Sequence, residues 1–194
     1  MEADWEVEIG GDGPVIEARW AGFIDLRSAP ERVTELEEAG KFPPLGETLV
    51  ALNAPGSPVW SAKCDVWLQL EENTWDADEL DAPADEAFYA AAVYIDLLAI
   101  QETAALDEVF CRALVRALRT QPLTHCRVDL IVRRAWMSPI LPDPLEPTND
   151  AALFSTGLTA YLTACGASEE AAQRRLADCL RLFAHVLQTG STLP

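Results

Sequence analysis

The sequence predicts an α+β fold: an antiparallel sheet of about five strands, made of two N-terminal hairpins plus one later strand, with helices packed on one side. Three observations lead there. Segments in the first third alternate apolar and polar residues with period two, between glycine- and proline-rich turns. Later segments repeat apolar residues at helical spacing. The chain of 194 residues is long enough for one substantial core and short for two. The expected organisation is a single domain: sheet-forming hairpins over 1–70, an acidic connection over 71–86, helices and a fifth strand over 87–137, a proline-rich connection over 138–148 and a helical pair over 149–190.

Trp5-Glu6-Val7-Glu8-Ile9 reads as a half-exposed strand, and Gly10 to Pro14 as the turn of a hairpin that returns through Val15 to Leu26. Ser28-Ala29-Pro30-Glu31 caps a short helix that Gly40 ends. Thr48 to Leu52 and Val59 to Leu70 read as the second hairpin, with a type II turn at Pro55-Gly56. On its return strand, Cys64, Val66, Leu68 and Leu70 share the core side, while Lys63, Asp65, Trp67 and Gln69 share the other.

Ala87 to Ile100 is apolar nearly all round and predicts a buried helix. Thr103 to Arg119 continues with a helical stripe of Leu106, Val109, Phe110, Ala113, Leu114, Ala117 and Leu118. His125 to Trp136 is the fifth strand, with Val128, Leu130 and Val132 on one face and Arg127, Asp129, Ile131 and Arg133 on the other. Pro139, Pro142, Pro144 and Pro147 make the following segment an extended connection. Asn149 or Asp150 caps a helix over Ala151 to Cys165, and Ser168 caps another over Glu169 to Thr189, with Leu176, Leu180, Phe183 and Leu187 buried.

Charge is the strongest functional signal. The formal net charge is −18. Residues 1–100 hold 22 acids against five bases, −17, whereas residues 101–194 hold ten acids against nine arginines, −1. Such a surface repels nucleic acid and anionic membranes and attracts a basic protein partner. The peak of the charge lies in the run that follows Lys63–Leu70: Glu71, Glu72, Asp76, Asp78, Glu79 and Asp81, ending at Asp85-Glu86. Trp60, Trp67 and Trp75 flank or interrupt it. A tryptophan anchor beside steering carboxylates suits a protein-binding surface. The competing reading is acidity that serves solubility, with Trp67 packed on the sheet.

Motifs for chemistry are sparse. There is no G-x-x-x-x-G-K-[ST] phosphate cradle and no G-x-S-x-G nucleophile elbow. His125 abuts Cys126, but neighbours on a strand point to opposite faces, so the pair reads as structural. Five cysteines form no C-x-x-C pair and suit packed, reduced thiols. Asp96 lies in an apolar run, where a carboxylate needs a partner or a proton. No cofactor or metal is expected. The acidic N-terminus has no signal-peptide character, and the longest apolar run is too short to span a membrane, so the expected location is the cytoplasm. Two lysines against twelve arginines point to a GC-rich bacterial source.

The leading functional expectation is a small acidic cytosolic protein-binding protein, an inhibitor or immunity protein that neutralises a basic partner such as a toxin. Trp67, Glu71, Glu72, Trp75, Asp76, Asp78, Glu79 and Asp81 would form its binding surface. The alternative is a metal-dependent hydrolase or nuclease built from the strand-borne carboxylates Asp25, Asp65 and Asp129.

Overall fold

A computed structural model describes residues 1–10, 13, 15–72, 74–83, 85–100, 106–137 and 153–189. Six strands form one mixed sheet: β1 (Glu2–Glu8), β2 (Val15–Ala18), β3 (Val59–Trp67), β4 (Tyr89–Ala99), β5 (Cys126–Met137) and β6 (Leu153–Gly166). Their order is β1-β5-β6-β4-β3, with β2 also on β5. Among the described residues the α-helices are α1 (Glu37–Lys41), α2 (Pro43–Leu52), α3 (Glu108–Arg119) and α4 (Glu169–Thr189). The class is α+β, as the sequence predicts, but the sheet is mixed: β1 and β2 run parallel to β5, and the remaining pairings are antiparallel.

The expected N-terminal hairpin does not form. Glu8 pairs with Arg133 and Val15 with Arg134, so β1 and β2 follow one line along β5. β1 and β2 therefore run in the same direction, not as the two arms of a hairpin. Strand period was legible in both pieces, but their common partner lies more than a hundred residues away and leaves no local trace.

The second expected hairpin is also replaced. Thr48 to Leu52 belongs to α2, which opens on Pro43 and Pro44, where proline's missing N–H costs nothing. Leu45, Leu49 and Leu52 recur at helical spacing and are buried. Asn53 ties the end of α2 to β3: its Nδ2 donates to Ser61 Oγ at 2.7 Å. Gly56 has φ +91°, as the expected turn requires.

Two segments expected to be helices are the central strands. β4 replaces the helix over 87–100, and β6 replaces the helix over 151–165. Ala91, Val93, Ile95 and Leu97 alternate onto one face of β4, and Leu158, Ala160, Leu162 and Ala164 onto the same face of β6. A strand covered on both faces reads as a continuous apolar run, which periodicity alone does not separate from a buried helix. Gly157 fits only this arrangement: a Cβ there would sit 2.7 Å from Ile16 Cδ1 and 3.0 Å from Leu98 Cδ2.

The main core lies between one face of the sheet and α2, α3 and α4. Leu176, Leu180, Phe183 and Leu187 of α4 are all buried, and Ser168 Oγ accepts the N–H of Ala171 at 3.2 Å, as the sequence predicts. In α3, capped by Asp107, the buried stripe is Cys111, Leu114, Val115 and Leu118. It is rotated from the expected one, and Val109 is 66% exposed. The expected connection over 138–148 and the caps Asn149 and Asp150 lie outside the described residues.

The opposite face of the sheet is covered only near its two ends. At one end the segment after β2 closes over Ile16, Ala18, Trp60, Ala62, Leu98 and Ala135. At the other, the acidic segment closes over Ala90 and Cys165. Between them the sheet presents a polar and aromatic band.

Candidate partner-binding surface

The acidic segment is held by its apolar residues. Leu70, Trp75, Leu80, Ala82 and Ala87 pack with Ala90 of β4 and Cys165 of β6. Leu70 donates its N–H to Ala90 at 2.8 Å where β3 ends. Asp78–Leu80 form one 3₁₀ turn, which buries Leu80 and projects its neighbours outward. At the far end Glu86 reaches Arg175 of α4 at 3.3 Å. The loop is therefore pinned at both ends and in the middle.

Glu71, Glu72, Asp76, Asp78, Glu79 and Asp81 are all exposed. None makes a salt bridge to a described residue. Arg127 is raised above its ordinary value chiefly by its hydrogen bond to Asp129, and Glu79 adds to the same field. Asp76 Oδ1 accepts the N–H of Asp78 at 2.9 Å. Several carboxylates elsewhere are matched: Asp25 with Arg27, Glu35 with Arg32, Glu37 with Lys41, Glu8 with Arg133, Asp129 with Arg127. Exposed acids without an ion pair to a described residue also stand on β1, at Glu2, Asp4 and Glu6, but the densest run of them is the acidic segment.

The tryptophans do not share one surface. Trp60 is 2% exposed, at the opposite end of β3, and its Nε1 donates to Ala99 O at 3.2 Å. Trp75 is half-buried beneath the acidic segment. Trp67 stands on the polar band, 40% exposed, its ring 5.8 Å from Tyr94, which in turn lies 5.9 Å from Tyr161. Trp67 pairs with Ala92, two residues from Ala90, so it borders the acidic segment.

A concavity of about 710 Å³ opens beside this segment. Glu71, Glu72, Trp75, Phe88 and Tyr89 line it with Leu70. Phe88 is 61% and Tyr89 38% exposed. Sequence reasoning misses both, because it places them in a buried helix.

The polar band has its own network. Arg133 Nη1 donates to Thr159 Oγ1 at 3.1 Å, and Thr159 donates to Asp96 Oδ1 at 2.5 Å. Asp96 is 8% exposed, and burial pushes its carboxyl above the ordinary value of 3.8; the Thr159 hydrogen bond, Arg133 and Lys63 oppose this. Asp96 thus finds its hydrogen-bond partner in Thr159, which links it to Arg133.

The carboxylates of the hydrolase alternative are not brought together. Asp65 is on β3 and Asp129 on β5, with β4 and β6 between them, roughly 14 Å at three inter-strand steps. Asp25 sits in a loop, where hydrogen bonds from Arg27 lower its carboxyl from the ordinary value against the opposing effect of burial. Among the described residues no cluster of three histidine, cysteine or carboxylate side chains has metal-binding geometry. His125 and Cys126 diverge: His125 Nδ1 lies 3.7 Å from Glu86, whereas Cys126 Sγ faces Arg175 O of α4 at 3.7 Å. Burial pushes the thiols of Cys64 and Cys111 up to about 12, which leaves them protonated at neutral pH. Among the described residues no helix is long and apolar enough to cross a membrane. No family model, no curated protein and no solved structure matches this chain.

Proposed function

We propose that the protein is a binding protein for a basic protein partner, which it inhibits by occluding the partner's surface. The immunity-type reading, neutralisation of a basic toxin, is the specific form of this proposal. One observation carries it: six exposed carboxylates without salt bridges to described residues sit on a segment that is fixed by its own apolar residues. A fixed acidic surface loses little entropy on binding and keeps its field directed outward. Trp67, at its border, adds an exposed aromatic of the kind that anchors interfaces.

The mechanism has two parts. Long-range attraction raises the encounter rate with a cationic surface. Short-range burial of aromatic area then slows dissociation.

The test begins with capture at low ionic strength from cells that produce the protein. The purified partner is then titrated against the wild type and a variant with Glu71, Glu72, Asp76, Asp78, Glu79 and Asp81 changed to Gln or Asn. The expected result is a loss of at least about tenfold in affinity, with a weaker salt dependence. Salt-insensitive binding, or equal binding by the variant, contradicts the proposal.

A further inference from the structure

We infer that the concavity lined by Glu71, Glu72, Trp75, Phe88 and Tyr89 is a receptor for one arginine side chain of the basic partner. This rests on the functional reading above and gives that reading a chemical centre. The charge of the acidic segment alone would accept any cation. The concavity adds a shape and three rings.

Two features select the occupant. Trp75, Phe88 and Tyr89 supply aromatic surface, and Phe88 and Tyr89 leave much of theirs in water. Glu71 and Glu72 supply negative charge at the same opening, with no basic side chain among the lining residues. A planar guanidinium stacks on aromatic faces and directs N–H groups toward carboxylates, so one side chain satisfies both sets. A lysine ammonium makes the charge contact with poorer stacking, because it is compact and strongly hydrated. An anion would face two carboxylates, and a neutral apolar side chain would leave them uncompensated.

The walls are in place before any partner arrives. Phe88 N–H donates to Gly166 O at 3.1 Å, and Leu70 N–H to Ala90 O at 2.8 Å, so main-chain bonds fix both sides of the opening. Trp75 is wedged against the cluster of Leu80, Ala82, Ala90 and Cys165. The volume of about 710 Å³ falls within the roughly 300–1,000 Å³ of ordinary ligand clefts. It has room for a side chain and part of its backbone.

The experiment titrates the full chain with capped hexa-arginine, hexa-lysine and hexa-citrulline peptides by calorimetry. Hexa-arginine is expected to bind several-fold more tightly than hexa-lysine, and hexa-citrulline, its neutral isostere, not measurably. The pair Phe88→Leu and Tyr89→Leu keeps apolar bulk but removes the rings. It is expected to weaken hexa-arginine by about tenfold and to abolish the preference over lysine. Circular dichroism and urea unfolding of the same variant establish that it folds. The pair Glu71→Gln and Glu72→Gln is expected to weaken both cationic peptides. If the ring variant folds and binds hexa-arginine like the wild type while the carboxylate variant is weakened, the arginine receptor is wrong and the acidic-surface reading stands. If neither variant changes binding, both readings fall. Equal binding of hexa-citrulline also overturns the receptor.

Discussion

The two ends of the outer sheet face solve the same packing problem and treat charge in opposite ways. At one end the loop after β2 covers the sheet, with Trp60 buried beneath it and Phe23 edge-on at 5.9 Å. Its charges are spent internally: Arg27 lies 4.1 Å above the Trp60 ring and holds Asp25 with two side-chain hydrogen bonds. At the other end Leu80 and Trp75 form the cover, while Glu71, Glu72, Asp76, Asp78, Glu79 and Asp81 face water without salt bridges to described residues. Phe88 and Tyr89 stay exposed beside them. Similar apolar footings thus support a closed clip and an open surface. In the proposed reading, the difference lies in whether the cation comes from the chain or from a partner.

That contrast can be broken first at the clip. Trp60→Ala removes a ring that is 2% exposed, and its expected cost is about 3–5 kcal/mol, read by urea unfolding. A cost near zero would mean that the loop does not depend on the ring. Gly157→Ala follows: its new Cβ meets Ile16, Leu98 and the Leu97 carbonyl, for an expected destabilisation of roughly 1–3 kcal/mol. Arg27→Leu removes both the ring contact and the partner of Asp25. A loss of about 1–2 kcal/mol is expected in the same assay.

At the open end the expectation reverses. Neutralising Glu71 and Glu72 is expected to leave stability within about 0.5 kcal/mol, because neither makes a salt bridge to a described residue. A large stability loss there would show that these acids serve the fold and would erase the distinction between the ends.

The smallest effect belongs to Asp96, midway between them. Its folded-state carboxyl lies above the ordinary 3.8, so the folded protein holds the proton more tightly than the unfolded chain. Stability from this group is full below the ordinary value and falls as pH rises through the raised one. Asp96→Asn is expected to flatten that part of the pH–stability curve. Stability that rises instead with pH through this window, and loses the rise in the variant, would reverse the assignment.

The elements that local signals determine were legible: α4 with its Ser168 cap, the buried parity of Val128, Leu130 and Val132, and the turn at Gly56. Where a segment's partners are distant, the local pattern misleads. Ala90-Ala91-Ala92 suggests helix, yet neighbours on both sides and covers on both faces make it the centre of a sheet. Pro43 and Pro44 suggest irregular chain, yet they open α2. The same errors reach the candidate surface. The acids were legible because charge survives any change of fold. Phe88 and Tyr89 were not, because their stretch reads as a buried helix, whereas Tyr89 opens β4 and Phe88 lies just before it. Trp60 was grouped with Trp67 and Trp75 by proximity in sequence, although β3 carries it to the opposite end.

Recognition, as proposed, is confined to the open end. The direct measurement is amide chemical-shift mapping of the full chain on titration with capped hexa-arginine at low salt. The predicted result is perturbation of residues 69–89 and of Trp67, with the 19–28 clip silent. Perturbation centred on that clip, or spread evenly along the acids of β1, would contradict it.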